Sequence, residues 1–255
     1  MGLERYGGGF VENSYLRKVG KDWNNLYIYK YAGIDPETGL GLLQKELTQT
    51  DLDNDKSSGR NLWTSNKVGD IVATDNIDAS NDWDDPTFFE VGPATPKAIG
   101  GFSTSLTYKN FDLSIICAYQ IGGKYNSVNY RNLIGMNLGR GISRDNLNAW
   151  SPENKGSNLP MRFNGGTDNA GTPLAWFSAS YFNLKTVTLG YNLPRSLMNQ
   201  WKMNGIRIYA AVDNAYLKAA IKGLDPRYSL TGGPDVGAFS YPQARYLSLG
   251  FNMSF

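Results

Sequence analysis

The end of the chain alternates with a period of two. Across residues 245–255, Leu247, Leu249, Phe251, Met253 and Phe255 fall on one side, while Tyr246, Ser248, Gly250, Asn252 and Ser254 fall on the other. That period belongs to a strand with one apolar and one polar face. The length suits the ~9–11 residues that a tilted strand needs to cross a bilayer. Residues 101–108 repeat the pattern, with Phe102, Leu106 and Tyr108 sharing a face with Thr104. Past a tight turn at Lys109 and Asn110, the residues Phe111, Leu113, Ile115, Cys117, Tyr119 and Ile121 share a face opposite Asp112, Ser114, Ala118 and Gln120. The pair reads as a hairpin. In residues 181–193, Phe182 and Leu184 begin in one phase and Val187, Leu189, Tyr191 and Leu193 continue in the other. The slip near Lys185 and Thr186 predicts a β-bulge. Residues 206–212 alternate again, Ile206, Ile208, Ala210 and Val212 against Arg207, Tyr209 and Ala211.

Connection lengths between these strands also alternate. Residues 218–244 are a long link, 194–205 a short one, 122–180 very long, 109–110 minimal, and roughly 31–100 long again. Transmembrane barrels keep short turns on the periplasmic side and long loops outside. With the C-terminus in the periplasm, every long link falls outside. A linker of nearly sixty residues would count against an ordinary compact domain, but such barrels carry long outer loops.

Composition narrows the chemistry. The 255 residues include 29 Gly, 16 Tyr and 6 Trp with 41% hydrophobic residues, a balance that favours strands and turns. No run approaches the ~18 apolar residues of a membrane-spanning helix, which leaves a barrel open because its alternation hides the apolar face. Net charge is +2, so nothing electrostatic points to nucleic acid. The absence of histidine removes histidine bases, nucleophile partners and metal ligands together. Cys117, the single cysteine, excludes an internal disulfide and reads as a small apolar residue on its face. Asp51, Asp53 and Asp55 have the spacing of a calcium loop's first ligands, but Lys56 stands where that loop turns on Gly and Leu62 where it needs Glu. An acidic surface loop is the plainer reading, as it is for Asp82, Asp84 and Asp85. Trp63, Trp83, Trp150 and Trp176 fall in expected outer loops. Trp150 and Trp176 are the candidate substrate contacts, against the alternatives of loop packing, an interfacial girdle or a partner interface. Gly7–Gly9 and Gly232–Gly233 lack the strand–loop–helix context of a phosphate loop and read as turns. The segment MGLERYGGGF has no apolar core of a signal peptide, so an exported protein of this kind is expected to be longer than this chain.

Several stretches, in order, resemble the SusC/RagA family of TonB-linked outer-membrane proteins. They are YKYAGIDPETG at 29–39, ATPKAIGGFSTSLTYKNFDLS at 94–114, WSPEN at 150–154, SYFNLKTVTLGYNLP at 180–194, GLDP at 223–226 and YPQARYLSLGFNMSF at 241–255. The resemblance runs from about residue 12 to the end. It implies an all-β fold, namely the last five or six strands of an antiparallel transmembrane β-barrel of twenty-two strands with long extracellular loops. Residues 1–100 would hold barrel strands and a long outer loop region, and 101–255 the C-terminal strands with outer loops at 122–180 and 218–244. It further implies energy-coupled import of glycans or peptides across the Gram-negative outer membrane of Bacteroidota, with no catalysis and no cofactor. The implied partners are a SusD-like surface lipoprotein, the TonB complex through an N-terminal part absent from this chain, and outer-membrane lipid. Leu247, Leu249, Phe251, Met253 and Phe255 would form the strand that the barrel-assembly machinery reads. The rival is a secreted or surface β-sandwich that binds carbohydrate, or a glycosidase using paired carboxylates. It fits the aromatic content and missing histidine but not the loop parity. Five or six strands cannot close a barrel by themselves, so the chain is expected to act only within a longer protein.

Overall fold

A computed structural model describes residues 8–58, 63–74, 87–134, 142–161, 174–201, 203–228 and 243–254. Within them the strands are β1 (Phe10–Glu12), β2 (Tyr15–Arg17), β3 (Asn25–Tyr29), β4 (Tyr31–Ile34), β5 (Gly41–Glu46), β6 (Ile71–Thr74), β7 (Phe88–Pro93), β8 (Ala98–Tyr108), β9 (Phe111–Ile121), β10 (Lys124–Asn126), β11 (Trp176–Ser178), β12 (Tyr181–Asn192), β13 (Gly205–Ala219) and β14 (Tyr246–Ser254). Helices are few and short: α1 (Gln49–Ser58), α2 (Val128–Ile134) and α3 (Arg195–Trp201). The chain divides into two compact units, one built mainly of residues 1–95 and 124–177, the other of 96–123, 178–230 and 239–255.

The second unit is one antiparallel sheet in the order β14-β13-β12-β9-β8. Its strands are the five that the alternation predicts, and the hairpin at Lys109 and Asn110 is present, with Lys109 at φ +53°. The expected slip is there too, since the register of β12 shifts between Leu184 and Thr186 against both neighbours. One link differs from its sequence reading: within 194–205 the chain forms α3, whose Met198 is buried. Pro194 suits the entry to such a helix because its missing N–H is not needed there.

The first unit holds three small antiparallel sheets, β1-β2-β3-β7, β4-β5-β6 and β10-β11. Their cores are local. Leu16 and Tyr27 pack with Val11 and Phe88, and Leu47, Leu52 and Val72 pack with Trp63. Much of the long 31–100 link is therefore ordered sheet. The 122–180 link is likewise not structureless, since it forms β10, α2, a 3-10 turn at Arg144–Asn148 and β11. Short strands in turn-rich sequence escape period-two detection because three or four residues cannot display a period.

Candidate functional site

Register converts sequence alternation into two continuous sheet faces. Phe102 pairs with Cys117, Leu106 with Leu113 and Tyr108 with Phe111. Leu113 pairs with Leu189, Leu189 with Ala210 and Ala210 with Leu249. Paired residues lie on the same face of an antiparallel ladder. One face is accordingly apolar across all five strands, and it is exposed: Leu249 at 79%, Leu247 at 72%, Phe251 at 64% and Leu106 at 59%. Soluble monomers rarely leave a patch of that extent uncovered. Phe111 and Tyr191 close one end of it with ring centroids 4.7 Å apart.

The other face carries Ser103, Ser105, Asp112, Ser114, Thr188, Asn192, Arg207, Tyr209, Ser248 and Asn252. Toward the end that holds the Lys109–Asn110 turn, it carries an ion pair spanning three strands. Asp112 on β9 and Arg207 on β13 both pair with positions on β12, Gly190 and Asn192. Arg207 Nε donates to Asp112 Oδ1 at 3.0 Å and Nη2 to Oδ2 at 2.5 Å, a bidentate geometry. Asn192 Nδ2 adds a bond to Asp112 Oδ1 at 3.3 Å. Gly190 makes room for the bridge, because a Cβ there would stand 2.5 Å from Arg207 Nη2 and from both Asp112 oxygens. Tyr209 covers Gly250 in the same way, its ring 2.5 Å from where a Cβ would be, and Arg207 sits 5.2 Å from that ring. Sequence alternation places Asp112 on the polar face. It does not reveal Arg207 as its partner, because pairing residues 95 apart requires the register.

The links leave the sheet at opposite ends. The Lys109–Asn110 turn, the α3 link and Ser254 share one end, since Asn192 N bonds Asn110 O and Asn204 N bonds Ser254 O. The long links depart from the other end, after Ile121 and Ala219 and before Tyr181 and Tyr246. There Asn214, at φ +52°, fastens the long β13–β14 link. Its Nδ2 donates to Gln243 O at 2.8 Å, and its Oδ1 accepts from Asn183 Nδ2 and Arg227 Nη1.

In the first unit, an open cleft of about 570 Å³ lies beside α2 and the 3-10 turn. The rings of Tyr130 and Phe177 meet edge to face at 5.1 Å. Tyr130 Oη donates to Asp145 Oδ2 at 2.9 Å. Burial first, and then this bond to the Asp145 carboxylate, pushes the phenol up to about 12. Asn148, Asn158 and Ser157 complete the polar wall. Nothing in the sequence pattern singles these residues out, because they converge from a helix, a 3-10 turn, a loop and a short strand.

The sequence candidates fall in different places. Trp150 lies behind the cleft: its backbone N donates to Leu159 O, its Nε1 donates to Pro36 O at 3.2 Å, and its ring fills the space beside Gly39, where a Cβ would collide with it. Gly39 closes a turn by donating its N–H to Asp35 O, and the Asp35 carboxylate organises that turn by accepting from Glu37 N and Thr38 Oγ1. Those bonds, from Thr38 first, hold the Asp35 carboxyl below its ordinary range. Trp176 lies in β11, next to Phe177 of the cleft but outside its lining. Trp63 packs on Leu47, Leu52 and Val72.

Asp51, Asp53 and Asp55 lie on α1 and not in a surface loop. Thr48 and Asp51 form a reciprocal cap, Thr48 N to Asp51 Oδ2 at 3.0 Å and Asp51 N to Thr48 Oγ1 at 3.2 Å. Asp51 also takes Lys45 Nζ at 2.6 Å, and Asp53 takes Gln49 Nε2. Helical spacing turns successive carboxylates two apart away from each other, and among the described residues no acidic cluster is placed to hold a metal. Leu247, Leu249, Phe251 and Met253 share the apolar face of β14. Phe255, Trp83, Asp82, Asp84, Asp85 and Gly232–Gly233 lie outside the described residues.

No protein-family model matches the chain. The TonB-dependent receptor P3 of Formosa agariphila is 32% identical over 178 residues, covering 65% of this chain and 17% of that receptor. The TonB-dependent receptor SusC of Bacteroides thetaiotaomicron is 27% identical over 163 residues, covering 61% of this chain and 15% of SusC. Among solved structures, the RagAB peptide transporter superposes with a TM-score of 0.70 at 23% identity, over 96% of this chain and 24% of that one. RagAB in its open-open state gives 0.66 at 25% identity. The chain thus spans a quarter or less of these proteins, which are receptors and transporters and not enzymes. With its antiparallel strands and a partial coverage that fits a C-terminal fragment, the chain is similar to TonB-dependent receptors of the SusC type and to the RagAB transporter.

Proposed function

We propose that this chain forms the closing arc of an outer-membrane barrel that imports a nutrient, with energy delivered through TonB by parts of the receptor outside the chain. The observation that carries the reading is the five-stranded sheet with one continuous exposed apolar face and one polar face. The apolar face meets lipid and the polar face, with Asp112 and Arg207, lines the lumen. Magnitudes agree. Phe111 and Tyr119 are eight positions apart on one strand, about 26 Å at ~3.3 Å per residue. A tilt of ~40° shortens that to about 20 Å, close to the ~25 Å apolar band of such barrels. The aromatic rows at the two ends, Phe111 with Tyr191 and Phe182 with Tyr216, then sit at the interfaces.

Residues 101–255 supply the last strands, with outer loops at 122–180 and 218–244, and residues 1–100 an earlier strand and outer loop region. The chain's substrate is a glycan or a peptide delivered with a SusD-like surface lipoprotein. The strand bearing Leu247, Leu249, Phe251, Met253 and Phe255 is the segment read during barrel assembly. Expression of the full-length receptor tests the reading. Recovery of the folded protein in the outer-membrane fraction, with an epitope inserted into 229–242 accessible on intact cells and one inserted at Lys109–Asn110 inaccessible, is the expected result. A soluble, detergent-independent protein would overturn it.

A further inference from the structure

We infer that residues 148–159 form a lid on the cleft beside α2, a self-closed loop held shut by a clasp between Trp150 and the turn at 35–39. The loop is closed by its own bonds. Trp150 N donates to Leu159 O at 2.9 Å, joining its two ends. Asn154 Nδ2 and Ser157 Oγ both donate to Asn148 O, at 3.2 and 2.5 Å. Asn154 N donates to Ser151 O and Leu159 N to Ser157 Oγ, each at 2.9 Å. A compact surface loop bonded in this way is packed by its own groups, so it moves as one body.

Its fastening to the β4–β5 hairpin centres on Gly39. Met161, just beyond the loop, donates its N–H to Gly39 O at 2.7 Å, and Trp150 Nε1 donates to Pro36 O at 3.2 Å. The Trp150 ring lies over Gly39 in the space a Cβ would occupy, and Gly39 holds φ at +75°. The close approach and the left-handed backbone both call for glycine. Two outlying contacts add less. Lys155 Nζ meets Glu37 Oε1 at 3.2 Å with side chains 50% and 80% exposed, a setting in which ion pairs contribute little. Tyr31 Oη reaches Asn158 O at 3.4 Å, longer than an ordinary hydroxyl bond. The clasp thus depends on one indole seated on one glycine, and losing that seat releases the loop from the hairpin.

What the loop covers is the cleft. Asn148, Asn154, Ser157 and Asn158 line it from the loop, whereas Tyr130 and Phe177 line it from α2 and β11. The second group has its own bracing. Tyr130 bonds Asp145 and meets Phe177 edge to face, and the 3-10 turn carrying Asp145 is tied to α2, where Ser143 N and Asn146 Nδ2 donate to Leu133 O. The chain passes from that turn into the loop at Ala149, which is extended at φ −60° and ψ 157°. Motion about Ala149 parts the two groups and widens the cleft while leaving the bonds within each intact. Trp150 is a positioning residue that sets the aperture of the cleft from behind. The lid goes beyond the transport reading and does not depend on it.

Hydrogen exchange of the full-length receptor in detergent, resolved to single amides, tests the lid. A lid opens by breaking its clasp and sparing its own bonds. In the wild type, protection of the Met161 amide, bonded across the clasp, should be about tenfold below that of the Trp150 and Asn154 amides, bonded within the loop. Trp150→Ala should lower Met161 protection about tenfold further, with Asn154 and Leu159 unchanged. Glu37→Gln should alter it by less than about twofold, since its ion pair is exposed. Spin labels at Asn132→Cys on α2 and Glu153→Cys on the loop, both exposed positions, read the cleft itself. Trp150→Ala should add a longer-distance population to the wild-type distance. Equal protection of Met161 and the loop amides, acceleration of all of them together in Trp150→Ala, or an unchanged spin-label distance would each overturn the lid. The wild-type comparison needs no variant, so it decides the matter if Trp150→Ala does not fold.

Discussion

Gly190 shows how one residue without a side chain determines what its neighbours can do. Asp112 and Arg207 lie on the two strands flanking it, and their bidentate bridge crosses the space a Cβ would fill. Gly190→Ala should therefore destabilise the folded receptor by about 1–3 kcal/mol, the range for disturbing a charged hydrogen-bonded pair. Gly205→Ala, with nothing within 4 Å of its added Cβ, should change stability little. Urea midpoints of the two variants in lipid vesicles check the contrast. Tyr130 offers a prediction in pH. Its folded phenol is raised from the ordinary 10.0 to about 12, so the fold favours the protonated form. The associated stability is fully present below pH 10 and is lost as pH rises from 10 through about 12. Subtracting the 295 nm titration of Tyr130→Phe from that of the wild type should isolate a phenolate with a midpoint near 12. A difference curve centred at 10 would contradict the buried, Asp145-bonded geometry.

At the level of elements, the two faces of β14 should respond oppositely to charge. Leu249→Arg places a cation at mid-strand on the apolar face and is expected to cost about 2–4 kcal/mol in a bilayer, whereas Ser248→Arg on the polar face should change stability by no more than about 0.5 kcal/mol. Equal costs would mean that the apolar face is not the one in lipid. The outer end of β13 depends on Asn214, whose positive φ and side-chain bonds hold both ends of the β13–β14 link. Asn214→Ala loses those bonds and is strained at φ +52°. Limited proteolysis should then cut residues 220–245 faster than in the wild type, with β12 and β13 still protected. Asn214→Gly relieves the strain but not the lost bonds, so its cutting rate should fall between the two.

For the whole molecule, the five long strands were legible in the sequence because seven or more alternating residues display a period of two, and a bilayer rewards a continuous apolar face on one side. The slip at Lys185 and Thr186 was legible for the same reason, since a bulge reverses the phase. The small sheets of β1–β7 were not, because three to six residues are too few to display a period. Asp51, Asp53 and Asp55 looked like a loop because carboxylate spacing says nothing of the Thr48–Asp51 cap that starts a helix there. The cleft was invisible, since Tyr130, Asn148, Asn158 and Phe177 come from segments that hold no common pattern. By itself, then, the sequence determined which residues alternate, where the strands lie and which side of each is apolar, since those depend on the local period. Only the tertiary structure decided which strands are neighbours, that Arg207 answers Asp112 over Gly190, and that Trp150 stands behind the cleft. Those are contacts between positions far apart in the chain, and register and packing, not local periodicity, bring them together.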